Sequence, residues 1–167
     1  MAETHLILGG ARSGKSRYAE ALIEAEPGPW CYIATAQAFD DEMRGRIASH
    51  RARRPAGWQT VEAPLHLALA LGAAGDVPVL IDCLTLWQSN LLLGEFKMEQ
   101  AADDLLDVMA ERRGMTVLVG NEVGLGIVPD NALARRFRDA AGVLHQRVAG
   151  IADHVVLMVA GLPLRVK

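Results

Sequence analysis

The chain has 167 residues, enough to bury a continuous core and consistent with one domain over 1–167. Its formal net charge of −3, with acids and bases interspersed, excludes a non-specific nucleic-acid binder, which would carry a strong basic excess. The longest apolar run, 155–164, is about half the length needed to span a bilayer and holds Gly161 and Pro163; no basic-then-apolar leader opens the chain, so a cytoplasmic protein without membrane insertion is expected.

In chain order, residues 5–8 form a short apolar run ending in glycine, which predicts a strand. Residues 15–25 are rich in Ala, Glu and Leu and predict a helix, stopped by Pro27-Gly28-Pro29. A strand is expected over 30–34, then a charged helix over 40–53 that ends at Arg54-Pro55, because the residue before proline avoids the α region. A short strand over 59–62 and a small apolar helix over 65–71 follow. Residues 77–81 have no polar interruption, the mark of a strand buried on both faces and hence of a parallel sheet. Helices are predicted over 84–93 and 98–113, and a buried strand over 116–119. A long helix is expected over 131–152, with Leu133, Phe137, Ala141, Leu144, Val148 and Ile151 on one apolar stripe, and a last strand over 155–159. Strands alternating with helices throughout indicate an α/β fold, an open and mostly parallel sheet covered by helices on both faces.

Gly9-Gly10-Ala11-Arg12-Ser13-Gly14-Lys15-Ser16 satisfies the pattern GxxxxGK[ST] between a predicted strand and a predicted helix. Gly9, Gly10 and Gly14 allow a tight turn whose N–H groups face phosphate oxygens, and the helix N-terminus adds its positive dipole end. Lys15 is expected to reach the β- and γ-phosphates, and Ser16 to ligate Mg²⁺. The apolar strand ending at Asp82 supplies the usual second carboxylate for that ion. In this context the segment is the phosphate loop of a P-loop NTPase.

Arg44, Arg46, His50, Arg51, Arg53 and Arg54 crowd into one segment. On a helix, Arg46, His50 and Arg53 share a face. A solvated basic face, balanced by Asp40, Asp41 and Glu42, is one reading. The other is a histidine nucleophile attacking phosphorus while guanidiniums hold the phosphate oxygens. His5, His66, His145 and His154 show no metal-ligand spacing along the chain and are expected to be structural or surface residues. Cys31 and Cys83 lack a CxxC pattern and are expected to be buried, reduced thiols.

With those motifs in view, the chain resembles, nearly end to end, the bifunctional adenosylcobinamide kinase / adenosylcobinamide-phosphate guanylyltransferase family. The markers are the glycine loop, Tyr32-Ile33-Ala34-Thr35, Asp40-Asp41-Glu42-Met43, Arg46-Ile47 with His50, Arg54-Pro55 with Trp58, and Asp82-Cys83-Leu84-Thr85. The longest marker is Asn121-Glu122-Val123-Gly124-Leu125-Gly126-Ile127-Val128-Pro129, followed by Leu133-Ala134-Arg135 and Phe137-Arg138-Asp139. The resemblance implies a three-layer, RecA-like P-loop fold and a cobalamin-assembly enzyme. Its first reaction would phosphorylate adenosylcobinamide with ATP or GTP. Its second would transfer GMP from GTP to the phosphorylated product through a guanylyl-histidine, with His50 at the family's histidine position and Lys15 at the triphosphate.

Nucleotide contacts are implied at the glycine loop, at Ile33, Ala34 and Thr35, at Arg51, Ala52, Arg53 and Arg54, at Glu62, and at Asp82. Glu62 would read guanine through its N1–H and 2-amino donors. Mg²⁺ would sit at Ser16 and Asp82, and a homotrimer is implied. His145 departs from the family, which usually has Asn there. The alternatives are a small P-loop kinase for another alcohol and a regulatory NTP-binding switch.

Overall fold

The computed structural model describes residues 3–37, 45 and 54–167. The expected helix over 40–53, with His50, Arg51, Ala52 and Arg53, lies outside the described residues apart from Gly45.

The strands are β1 (Thr4–Gly9), β2 (Trp30–Ala34), β3 (Trp58–Glu62), β4 (Val79–Asp82), β5 (Thr116–Asn121), β6 (His154–Val159) and β7 (Leu162–Arg165). The helices are α1 (Lys15–Glu24), α2 (Leu67–Ala73), α3 (Leu84–Leu93), α4 (Met98–Glu111) and α5 (Ala132–Ile151). Among the described residues the strands form a seven-stranded sheet in the order β3-β2-β4-β5-β1-β6-β7. β1 to β6 run parallel, and β7 returns antiparallel to β6. β5 therefore stands between the strand that enters the glycine loop and the strand that ends at Asp82.

Side chains alternate across each strand, so the central strands feed two cores. On one face Ile7, Leu80, Val117 and Val119 pack against Ala19 and Ile23 of α1. On the other, Leu6, Val79, Ile81 and Leu118 pack against Leu67 and Leu71 of α2, Trp87 and Leu91 of α3, Leu105 of α4, and Leu144 and Val148 of α5. This is the three-layer α/β arrangement expected from unbroken apolar strand runs. Among the described residues no helix is long and apolar enough to cross a membrane. Cys31 and Cys83 are both free and buried.

Two expectations need correction, and two further features were not anticipated. The small helix begins at Leu67 rather than residue 65, because the Leu65 carbonyl accepts Trp87 Nε1–H (2.8 Å) and the Pro64 carbonyl accepts Asn90 Nδ2–H (3.0 Å). The stripe on α5 buries Ala141, Leu144 and Val148, whereas Leu133 and Ile151 at its ends are exposed and His145 is buried instead. The C-terminal segment forms a strand, β7, through a two-residue turn at Ala160 and Gly161 with φ of 52° and 81°. Finally, His5 and His154 lack ligand spacing in sequence but are register partners on β1 and β6, with ring centroids 4.6 Å apart.

Candidate nucleotide and phosphoryl-transfer site

Because β1 to β5 are parallel, their C-terminal ends, Gly9, Ala34, Glu62, Asp82 and Asn121, lie along one edge of the sheet. In an open α/β sheet this is the edge where ligands bind.

The glycine loop leaves β1 at Gly9, whose φ is +155°. A Cβ there would lie 2.6 Å from Ser13 Oγ and 2.8 Å from the Met158 carbonyl oxygen, so only glycine fits. Gly14, at φ +95°, is the residue preceding α1. Gly10 has no left-handed φ and faces open space, while Arg12 takes the left-handed region at φ +54°. The expectation that all three glycines serve the turn thus holds for Gly9 and Gly14 only. The turn between β6 and β7 buttresses the loop: Gly161 N–H donates to the Ser13 carbonyl at 3.0 Å.

Lys15 is 7% exposed and curls back over the loop, with Nζ 2.5 Å from the Gly10 carbonyl oxygen and 3.4 Å from Ser13 Oγ. Burial lowers its ammonium pKa, opposed by Cys83 and Asp82. Ser16, in the first turn of α1, donates to Asp82 Oδ2 at 2.7 Å. Tyr32 donates to the same oxygen at 3.1 Å. Burial, followed by the neighbouring Asp82 charge, pushes the Tyr32 phenol pKa far up, so it remains a donor.

Arg54 stacks on Tyr32, its guanidinium carbon 3.4 Å from the ring centroid. It donates to Thr60 Oγ1 at 3.0 Å and lies 3.8 Å from Glu20. These contacts make Arg54 a support behind Tyr32 rather than a group presented at the loop.

Thr35 has 0% exposure, and its hydroxyl accepts the Cys83 N–H and donates to the Cys83 carbonyl, both at 2.7 Å. Its side chain is committed to the backbone that follows Asp82. Ile33 is likewise fully buried, in the core against the α2–α5 layer. The side chains of Ile33 and Thr35 are therefore not free to meet a nucleotide, and of that trio Ala34 alone is partly exposed. Glu62 is exposed at the end of β3, in register with Ala34.

At the end of β5, between β1 and β4, Glu122 N–H donates to the Gly9 carbonyl at 2.9 Å and Asn121 N–H to Thr85 Oγ1 at 2.6 Å. This ties the 121–129 segment to the glycine loop and to α3. Leu125, Ile127 and Val128 then project into solvent, with Ile127 97% exposed. The sequence marked Tyr32 and Thr85 as family residues without giving them roles. Strand alternation put Tyr32 on the α1 face, but only sheet order brings it to Asp82.

A parallel α/β sheet with a lysine- and serine-bearing glycine loop beside an aspartate at a strand end defines a P-loop nucleotide-binding protein. The family model described as cobinamide kinase / cobinamide phosphate guanyltransferase matches residues 5–166, and the chain belongs to that family. It is an enzyme of that bifunctional type, a kinase and a guanylyltransferase. The chain is 51% identical to the bifunctional adenosylcobalamin biosynthesis protein CobP of Pseudomonas aeruginosa, over 97% of this chain and 96% of that protein. It is 47% identical to the bifunctional adenosylcobalamin biosynthesis protein CobU of Salmonella typhimurium and 44% identical to that of Escherichia coli, in each case over 97% of this chain and 98% of the relative.

Proposed function

We propose that this chain phosphorylates the hydroxyl of adenosylcobinamide's aminopropanol arm and then guanylylates the resulting phosphate, using one glycine-loop site in turn for both nucleotides. The carrying observation is the convergence of Lys15, Ser16 and Asp82 at the one GxxxxGK[ST] loop of the chain. Lys15 now satisfies its charge on the Gly10 carbonyl, and a bound triphosphate would draw it onto phosphate oxygens.

Ser16 and Asp82 fit Mg²⁺: both offer hard oxygen donors, side by side and partly buried. Mg²⁺ would neutralise charge on the triphosphate. Around it, Tyr32 and Thr35 fix the Asp82 carboxylate and the backbone that follows it.

In the second reaction, neutral His50 attacks the α-phosphorus of GTP. A P–N bond forms, the P–O bond to the leaving group breaks, and pyrophosphate departs. A phosphate oxygen of cobinamide phosphate then attacks the same phosphorus and releases the imidazole. Arg51 and Arg53 are assigned to stabilising the phosphate charge, and exposed Glu62 to reading guanine. A single domain, a cytoplasmic location and a homotrimeric assembly complete the reading.

Intact-protein mass after incubation with GTP and Mg²⁺ tests it. An added GMP mass on the parent, absent from His50→Ala and from an ATP control, is expected. No adduct under conditions that preserve an acid-labile P–N bond would overturn the histidine step.

A further inference from the structure

The opposite edge of the sheet carries a second cluster of chemistry-bearing side chains. β1 and β6 pair in parallel with His5 directly against His154. Side chains two residues apart share a face, so Glu3 falls on the same side of the sheet as His5. Glu3 Oε2 lies 3.2 Å from His5 Nε2 and 3.7 Å from His154 Nε2, and one ligand atom from each residue lies within 4.8 Å of the others.

An ordinary surface Glu–His hydrogen bond needs one imidazole. Here two imidazoles direct the same ring nitrogen toward one carboxylate oxygen, from neighbouring strands whose pairing fixes their spacing. A four-coordinate ion with bonds of about 2.0–2.1 Å to nitrogen and oxygen separates its ligand atoms by roughly 3.3 Å. The two N···O distances bracket that separation. The adjacent Asp153 carboxylate is committed to the backbone, accepting the Thr4 N–H at 2.8 Å.

We propose that Glu3, His5 and His154 bind one divalent cation of the zinc class, with water completing its coordination, as a clasp between β1 and β6. Two imidazoles and one carboxylate favour Zn²⁺, Co²⁺, Ni²⁺ or Cu²⁺ over Mg²⁺, which prefers an all-oxygen shell. The site is distinct from the triphosphate site, since Gly9 lies four residues along β1 from His5, about 13 Å at the usual strand rise. Its role is structural: the ion joins the strand that leads into the glycine loop to the strand whose turn buttresses that loop.

The test uses untagged, EDTA-treated protein titrated with Co²⁺ alone and followed by visible absorbance. One equivalent is expected to give the intense band of a four-coordinate nitrogen–oxygen site, displaced by Zn²⁺. In His154→Ala the band should disappear, and in Glu3→Gln Co²⁺ affinity should fall at least tenfold. Each variant should keep the parent's melting temperature in EDTA, which separates lost ligation from lost fold, and both should bind MgGTP as the parent does. Absence of stoichiometric binding, binding that survives His154→Ala, or a thiolate charge-transfer band would each overturn the proposal.

Discussion

Ser16 Oγ donates to Asp82 Oδ2 at 2.7 Å, joining the first turn of α1 to the end of β4 across the intervening strand β5. The bond holds two oxygen ligands side by side before any nucleotide arrives. Ser16→Ala removes one ligand while leaving Asp82 fixed by Tyr32. We expect a fall of about 10²-fold in kcat/KM for the kinase reaction, equivalent to roughly 2.7 kcal/mol of transition-state stabilisation. Circular dichroism should be unchanged, and steady-state kinetics against Mg²⁺ concentration would check it.

Thr35 supports the same aspartate from behind. Its hydroxyl satisfies both the N–H and the carbonyl of Cys83 in a fully buried position. Thr35→Val keeps the shape but leaves both backbone groups without that partner, and should cost about 2–4 kcal/mol by urea denaturation. Thr35→Ser, which restores the hydroxyl, should recover most of that loss.

Gly9→Ala should be worse than its size suggests. The new methyl would meet Ser13 Oγ and the Met158 carbonyl, and the backbone would have to keep a φ of +155°. Displacement of the loop from the β6–β7 turn is expected to weaken GTP binding at least tenfold, measured by calorimetry. Gly10→Ala, whose methyl faces open space, should leave the unliganded fold and its melting temperature intact.

His145 gives the chain an acid-sensitive element. It is buried, its Nε2 has no hydrogen-bond partner among the described residues, and burial lowers its pKa from the ordinary 6.5, against a smaller raising effect of Glu122. A lowered folded-state pKa means that the unfolded chain binds more protons between that value and 6.5. Stability is therefore greatest above about pH 6.5 and declines as pH falls through this window. In EDTA, the urea midpoint of the parent should drop more between pH 7.5 and 5.5 than that of His145→Asn. Equal drops would refute the assignment.

Much of the site was legible because its signals are local. The glycine loop lies within eight consecutive residues, and Asp82 ends an apolar run whose uniform burial follows from parallel pairing. Less legible were the second-layer partners. Arg54 had been grouped with the phosphate-binding arginines, yet it stacks on Tyr32 and bonds Thr60. Thr35 and Ile33 stood in the motif as nucleotide contacts, but their side chains are occupied by the Cys83 backbone and the core. Composition cannot separate a residue that touches a ligand from one that holds a neighbour in place.

By itself, then, the sequence determined the alternation of strands and helices, the phosphate loop and the family, because hydrophobic period, glycine placement and motif spacing act over a few residues. Tertiary structure alone decided which distant residues meet: Tyr32 at Asp82, the Gly161 turn at Ser13, and His5 beside His154 with Glu3. Those meetings depend on strand order and register, which arise from burying two faces of one sheet at once.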